Sequence, residues 1–324
     1  MLDKQTQSRQ CGAIKPEPTL KLTNIDGLPA AIISAIQNDP YDRGDSDYTV
    51  TELVNPVRIT LLRQRHKDEI VVDARERLWS LLGQAMHHIL QRASQDQTFT
   101  EERFFTIVHG KKISGAIDLY HASGLLEDFK NVSGWAAVFG TRWRVWETQL
   151  NLLAHLMRLN DFPVTSMEIV CLFRDWTAYQ ALRSPAYPQA PMMVYPVESW
   201  SNEKAAQRLA GSVFSLIDSL GKEDDDLPPC SIQDRWEQPT IWAVMKTGRK
   251  SALRLLPTED EAVAWIDTNG GTHIEKRPGA RKRCEGGPGG FGKCEVRDWC
   301  SQWKAYSAAK EAAGGSTEGT DQEA

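Results

Sequence analysis

The residues best suited to chemistry lie in two short apolar segments separated by a glycine-containing turn. The first segment ends in Asp118, and the second carries Asp128 and Lys130 two positions apart. Because side chains alternate along a strand, Asp128 and Lys130 would point to one face, and a paired neighbouring strand would bring Asp118 beside them. Carboxylate oxygens suit Mg²⁺ or Mn²⁺, which lower the pKa of bound water, and a lysine can orient that water or balance charge on phosphorus. The pattern predicts a divalent-metal site beside a cation.

The competing explanation is a solvated surface, because acids and lysines on exposed strands usually face water. The neighbours of these charges are apolar and include Ile113, Ile117, Leu126 and Phe129. Charged groups that lie so close to a core are costly unless they have a role, which favours the functional interpretation. Glu127 falls on the opposite strand face, where we expect it to be solvent-facing or structural.

Hydrophobic periodicity predicts the elements that must position these groups. We expect a helix over residues 71–93, a three-stranded antiparallel meander over 104–108, 113–120 and 125–132, a helix over 143–159 and a buried strand over 164–173. The expected core is therefore αβββαβ. Beyond it we expect a strand over 192–197, a helix over 202–220, a linker over 221–229 and a small ββαβ unit over 241–276.

The first predicted helix carries two adjacent histidines, His87 and His88. Both lie beside the apolar stripe, so periodicity does not select between them. A neutral imidazole is a common metal ligand. A structural histidine is the alternative for each.

Cys284, Cys294 and Cys300 lie in a glycine-rich, basic stretch with too few hydrophobic residues to fold unaided. Thiolates are soft ligands for zinc or an iron–sulfur cluster, and either would help to order the segment. Such sites normally take four ligands, and the candidates for the fourth are Cys230, Cys171 and Cys11. We expect Cys230, after a proline pair, to be that ligand and Cys171 to be a core residue. Free thiols are the alternative.

The charge and the hydropathy of the sequence limit the kinds of partner that the protein can have. The net charge of −5 averages over acidic segments such as residues 223–226, whereas basic residues gather at 246–254 and 276–283. Such local clusters suit a nucleic acid, and a solvated face is the alternative. No apolar run reaches the roughly 18 residues that span a bilayer, and no signal-peptide pattern begins the chain. We expect a cytoplasmic protein without a membrane partner, where reduced cysteines serve as ligands.

The order of these residues resembles the RecB-like branch of the PD-(D/E)XK nucleases. Its Gly-x-x-x-His, Gly-x-x-Asp, acid-x-Lys and glutamine-helix elements match, in order, segments that contain His87, Asp118, Asp128 with Lys130, and Gln149. The resemblance implies an α/β restriction-endonuclease-like core, a central mixed sheet flanked by helices. It also implies that the histidine and the two aspartates bind Mg²⁺ or Mn²⁺, that the lysine positions the attacking water, and that the glutamine contacts DNA or braces the site. Four residues after the glutamine, where the family often has a tyrosine, this chain has Leu153. The second contact that such a tyrosine would make is therefore without support.

Residues 294–300 resemble the C-terminal cluster motif of RecB-like and CRISPR-adaptation exonucleases. This implies a [4Fe-4S] cluster rather than zinc, with Cys230, Cys284, Cys294 and Cys300 as its ligands. In several relatives the first cluster cysteine lies before the histidine helix. Here residues 55–58 occupy the comparable place without a cysteine, so Cys230 is expected to substitute. The resemblance extends from about residue 49 to about residue 302 and is closest to phage-encoded versions.

The resemblance also implies an organisation and a function. We expect a flexible extension (1–22), a nuclease core (23–220), a ββαβ and cysteine-cluster subdomain (221–305) and a disordered tail (306–324). The implied activity is that of a metal-dependent DNA exonuclease in replication, recombination or repair, located in the host cytoplasm if phage-encoded. Its partners would be DNA that is single-stranded or has a free end, a second copy of the chain, or replication and recombination proteins. A non-catalytic DNA-binding or assembly module and a zinc-stabilised RNA-processing nuclease are the alternatives.

Overall fold

The computed structural model describes residues 21–39, 41–93, 98–140, 142–287 and 290–314. These residues form a mixed α/β fold in which several sheets are flanked by helices. Of the expected flexible extension over 1–22, residues 1–20, including Cys11, lie outside the described residues, as do residues 315–324 of the expected tail. Residues 21 and 22 belong to a strand, so the extension ends two residues earlier than expected. Among the described residues, no helix combines the length and apolar character needed to cross a membrane.

The strands range from two to eight residues in length. In chain order they are β1 (Lys21–Thr23), β2 (Tyr48–Thr49), β3 (Val71–Asp73), β4 (Thr98–Thr100), β5 (Arg103–Val108), β6 (Lys111–Ala116), β7 (Leu119–His121), β8 (Leu125–Val132), β9 (Ser166–Phe173), β10 (Met192–Pro196), β11 (Glu237–Gln238), β12 (Ile241–Met245), β13 (Arg254–Leu256), β14 (His273–Arg277) and β15 (Ala280–Arg281). The predicted strands over 104–108, 125–132, 164–173 and 192–197 correspond to β5, β8, β9 and β10.

The helices flank these strands. In chain order they are α1 (Ala30–Gln37), α2 (Val50–Leu53), α3 (Val57–Arg65), α4 (Leu78–Ala93), α5 (Gly134–Phe139), α6 (Trp143–Leu159), α7 (Ala178–Arg183), α8 (Asn202–Ser219), α9 (Glu259–Asn269), α10 (Lys282–Glu285) and α11 (Ser301–Gly314). The bounds of α6 are those predicted from its periodicity, and its residues from Leu150 to Met157 are all buried, so the second half of the helix is enclosed on every side.

The central sheet is mixed. Its strand order is β10-β9-β8-β7-β4, with β8 and β9 parallel and the other neighbours antiparallel. A second sheet has the order β2-β6-β5. Leu126 on β8, Ile169 on β9 and Leu152 on α6 are fully buried in one continuous core. This core is the support from which the candidate site projects.

The predicted strand over 113–120 is interrupted, and the meander prediction is wrong at this point. The chain leaves β6 after Ala116 and enters β7 at Leu119, so the two halves pair in different sheets. Backbone bonds bridge the interruption: Ile117 N donates to Glu102 O at 3.0 Å and Glu101 N donates to Asp118 O at 3.3 Å. The residues between the strands are thereby held in place while their side chains are freed from strict alternation.

The helix predicted over 71–93 begins later than expected. Residues 71–73 form β3, which pairs in parallel with β1, and Ala74–Arg77 is a 3-10 turn before α4. The cause is a tertiary contact: the Asp73 carboxylate accepts from the Thr23 hydroxyl at 2.7 Å and from the Arg75 backbone N at 3.2 Å. Pairing with β1 therefore places residues 71–73 in a strand instead of in the helix.

The C-terminal part contains the predicted ββαβ unit. Its sheet has the order β13-β12-β14, and α9 lies between β13 and β14 in the chain. The prediction of a disordered tail is wrong for residues 306–314, because α11 runs to Gly314. The Tyr306 hydroxyl donates to Glu285 Oε1 at 2.7 Å, and Lys310 Nζ lies 3.1 Å from the same oxygen. These contacts hold a helix whose composition alone gave no sign of order.

Candidate metal centre and cysteine site

The interruption between β6 and β7 positions Asp118 beside the acid and the lysine of β8. Leu119 pairs with Glu127, so the residue before Leu119 comes next to Asp128. The Phe129 backbone N donates to Asp118 Oδ2 at 2.7 Å and fixes that carboxylate against β8. The structure thus brings together the two acidic segments that the sequence had placed on neighbouring strands.

His87 of α4 joins the same group. Its Nδ1 lies 3.7 Å from Asp118 Oδ1 and 3.0 Å from Glu101 Oε1. Ligand atoms of His87, Glu101 and Asp118 all lie within 4.8 Å of one another, which is the spacing that a single ion can bridge. The choice of His87 over His88, which only the family resemblance supported, agrees with this geometry.

Glu101 is the member of the group that sequence reasoning missed. It lies between β4 and β5 with a φ of 55°, a left-handed conformation that is uncommon for a residue with a side chain. Its backbone N is tied to Asp118 O, so its carboxylate is held facing His87. In the sequence, the only sign of this position was that two adjacent acids, Glu101 and Glu102, precede the apolar strand β5.

Asp128 and Lys130 form a buried ion pair. Lys130 Nζ lies 2.5 Å from Asp128 Oδ2, and Asp128 is 3% exposed. The lysine ammonium therefore engages this carboxylate oxygen directly. Asp128 is not a member of the group of His87, Glu101 and Asp118, which among the described residues has the spacing and the donor atoms that suit a hard divalent cation.

The pKa values reflect the crowding of charge. Burial and the neighbouring Asp128 raise the pKa of Asp118 to about 7, although Lys130 and His87 act in the opposite direction. The hydrogen bond that His87 donates to Glu101 raises the pKa of the imidazole despite its partial burial. Burial acts to lower the pKa of Lys130, but the two aspartates outweigh it and the net shift is upward. Without a cation the site therefore favours protons on its ligands.

Two further sequence candidates lie apart from this group. Gln149 Nε2 donates to Thr51 Oγ1 at 3.5 Å, and within the described residues no hydrogen bond joins it to the histidine, the acids or the lysine. Its role in bracing the site or contacting DNA stays a prediction. Cys171 is fully buried in β9 opposite Lys130, and burial raises its pKa to about 12, so its assignment to the core is confirmed.

The remaining four cysteines of the described chain line one cavity between the α/β core and the C-terminal part. Its lining includes Cys230, Cys284, Cys294 and Cys300 together with Arg58, Arg235, Arg283 and Trp303. Burial raises the pKa of Cys230 to about 12 and that of Cys284 to about 11, with a further contribution from the neighbouring thiols. Within the described ranges, the group tight enough for one ion to bridge is that of His87, not the cysteines.

Arg58 of α3 connects the core to this cavity, and nothing in the sequence predicted its role. It is 3% exposed, and its guanidinium lies 4.0 Å from Cys300 Sγ. It donates to the Ser301 hydroxyl at 3.0 Å and to carbonyl oxygens of the preceding linker, which are those of Asp224, Asp225, Leu227 and Pro228. One buried cation thus fastens the linker that ends at Cys230.

Comparison with known proteins gives little. No family model matches the chain, and no curated protein matches it. A solved structure described as "Crystal structure of SSO0001" is similar at 15% identity and a TM-score of 0.40, covering 56% of this chain and 83% of that one. At that level the likeness adds nothing to the geometry described above.

Proposed function

We propose that this chain is a metal-dependent DNA nuclease with a restriction-endonuclease-like core, acting as an exonuclease on DNA with a free end. The observation that carries the proposal is the convergence of His87, Asp118, Asp128 and Lys130 at the interruption between β6 and β7. An imidazole, two carboxylates and an ammonium at one point match the requirements of phosphodiester hydrolysis.

Each side chain has a distinct part in this proposal. His87, Glu101 and Asp118 would hold Mg²⁺ or Mn²⁺, because their ligand atoms lie within 4.8 Å of one another. Asp128, the other metal ligand that the resemblance implies, would contribute through its second oxygen, since its Oδ2 pairs with Lys130. The cation, when bound, would supply Lewis acidity to a phosphate oxygen and promote ionisation of water. Lys130 Nζ, held by Asp128, would orient the attacking water and offset negative charge that develops on the phosphate.

We propose that the cysteine cavity holds a [4Fe-4S] cluster, as the resemblance to RecB-like and CRISPR-adaptation exonucleases implies. What supports this proposal is that Cys230, Cys284, Cys294 and Cys300 all line one cavity. Arg58, Arg235 and Arg283 would offset the negative charge of a thiolate-ligated cluster. We assign the cluster a structural role.

The test is a cleavage assay on anaerobically purified protein with end-labelled single- and double-stranded DNA and Mn²⁺. The wild type is expected to release labelled product only with the cation, and Asp118→Asn and Lys130→Met are expected to release none. Lys112→Met, a change at an exposed lysine on β6, is the matched control and should retain activity. Full activity in both site variants would refute the assignment. DNA binding without Mn²⁺-dependent product would favour a non-catalytic module, and cleavage of RNA alone would favour an RNA-processing enzyme.

A further inference from the structure

Three arginines from separate parts of the chain gather around two tryptophan rings. The guanidinium carbons of Arg142 and Arg283 lie 5.1 Å and 5.6 Å from the centre of the Trp236 ring. That of Arg174 lies 4.4 Å from the centre of the Trp79 ring. Cations pack on tryptophan faces because the ring carries partial negative charge there. The rings thereby hold cations that lie close enough to repel one another.

Acidic side chains do not neutralise this group. In the part of the chain that the structure describes, the guanidinium of Arg142 makes no ion pair and no hydrogen bond. Its pKa is lowered because protein atoms displace water around it and because Arg283 and Arg174 are close by. Asp175 lies near Arg174, but its Oδ1 accepts from Gly134 N at 2.7 Å. Unpaired cations are conspicuous in a chain whose net charge is −5.

The group extends from the candidate metal centre to the cysteine cavity. Arg174 Nη1 donates at 3.2 Å to the carbonyl of Asn131, the residue after Lys130 on β8. Trp79 lies on α4, the helix that carries His87. At the other end, Arg283 precedes Cys284 and lines the cysteine cavity.

Trp236 lies between two of the arginines in an unusual backbone conformation. Its φ is 48°, which is costly for a bulky side chain and persists only where surrounding contacts enforce it. Its backbone N donates to Gln233 O at 3.0 Å, and Glu237 N donates to Ile232 O at 3.1 Å. The turn therefore presents the ring to Arg142 and Arg283.

We propose that Arg142, Arg174 and Arg283, with Trp79 and Trp236, form a track that binds the phosphate backbone of one DNA strand between the metal centre and the cysteine cavity. This inference rests on the proposed nuclease function and specifies how its substrate approaches. Arginine recognises phosphate through its planar fork of donors, and a polyanion would relieve the repulsion among the three cations. A single strand is favoured because its bases are free to stack on tryptophan, and Trp79 is 45% exposed.

A DNA-binding assay tests this inference independently of DNA cleavage. A fluorescein-labelled single-stranded oligonucleotide is titrated with wild-type protein in metal-free buffer at several salt concentrations, with fluorescence anisotropy as the readout. Each of Arg142→Gln and Arg174→Gln is expected to weaken binding and to reduce the slope of log affinity against log salt by about 0.7. The matched control is Lys204→Gln on α8, where a cation lies 4.3 Å from the Trp200 ring away from the track. It should leave affinity and slope unchanged.

The outcomes distinguish the two proposals. If the arginine variants keep the wild-type affinity and slope while wild type cleaves DNA with Mn²⁺, the track is refuted and the nuclease stands. If the arginine variants lose affinity and wild type gives no product, the track stands and the nuclease fails. Equal slope changes with a blunt duplex would overturn the assignment to a single strand. Circular dichroism checks folding, and Arg142→Gln should leave the spectrum unchanged because its guanidinium has no hydrogen bond to lose.

Discussion

Replacing Asp118 with asparagine should stabilise the metal-free protein at alkaline pH while abolishing its response to Mn²⁺. In the folded chain, burial and the nearby Asp128 raise the pKa of Asp118 from 3.8 to about 7. The folded state therefore prefers the protonated acid. Its contribution to stability is complete below about pH 4 and is lost as pH rises to about 7. Asparagine carries no charge and is free of this loss, and its side-chain oxygen can still accept from Phe129 N.

The magnitude follows from the size of the shift. A change of about three pKa units corresponds to about 4 kcal/mol at full ionisation, and about 2 to 3 kcal/mol of it develops between pH 5 and pH 8. This is an upper limit, because asparagine also loses the attraction of Asp118 to His87, whose Nδ1 lies 3.7 Å away.

The assay is urea unfolding of wild type and Asp118→Asn at pH 5 and pH 8 in metal-free buffer, with the exposed Asp68→Asn as matched control. The stability difference between Asp118→Asn and wild type should grow in favour of the variant from pH 5 to pH 8, whereas the Asp68→Asn difference should not. Added Mn²⁺ should stabilise wild type at pH 8 and leave Asp118→Asn unchanged, because a ligand stabilises only the state that binds it. A difference from wild type that is equal at both pH values would contradict the electrostatic reasoning.

Three further predictions address the supports of the site. Lys130→Ala should lower the free energy of unfolding by about 3 to 5 kcal/mol, measured by urea titration, because it leaves a buried carboxylate unpaired. Under the proposed cluster assignment, the anaerobically purified protein should contain iron and absorb visible light; Cys294→Ser should abolish both, whereas the core change Cys171→Ser should retain both. Gly115→Ala should cost about 1 to 3 kcal/mol in the same titration and reduce cleavage, because its methyl group would overlap Leu153 of α6. Gly83→Ala, on an open helix face, should be neutral or stabilising; the opposite ranking of the two glycines would contradict the packing.

Local patterns predicted the elements well where the repeating pattern was long. The helix over 143–159 and the strand over 125–132 have the predicted bounds, since many residues of each repeat the same signal. The positions of Asp118, Asp128 and Lys130 on neighbouring segments followed from the same alternation. His87 required the family pattern, because periodicity treats it and His88 alike.

The features that the sequence did not predict all depend on contacts between distant segments. The interruption at Ile117 is set by hydrogen bonds to residues 101–102, and Glu101 enters the site through the same bonds. Residues 71–73 leave the helix because β1 is available to pair with them. The path of α11 depends on Tyr306 and Lys310 reaching Glu285. No local window contains both partners of such contacts.

The contacts of Arg58 have a consequence for how the chain is made. The first residue that accepts a hydrogen bond from Arg58, Asp224, lies 166 positions later in the sequence, and the last, Ser301, lies 243 positions later. A ribosome releases α3, α4 and β8 long before it releases those acceptors, so the emerging core carries an unsatisfied guanidinium until synthesis is nearly complete. Chains cut short before residue 300 are therefore expected to be preferred targets of proteolysis. Nearly all of the 324 residues must therefore be synthesised before the segment around Arg58 can finish folding.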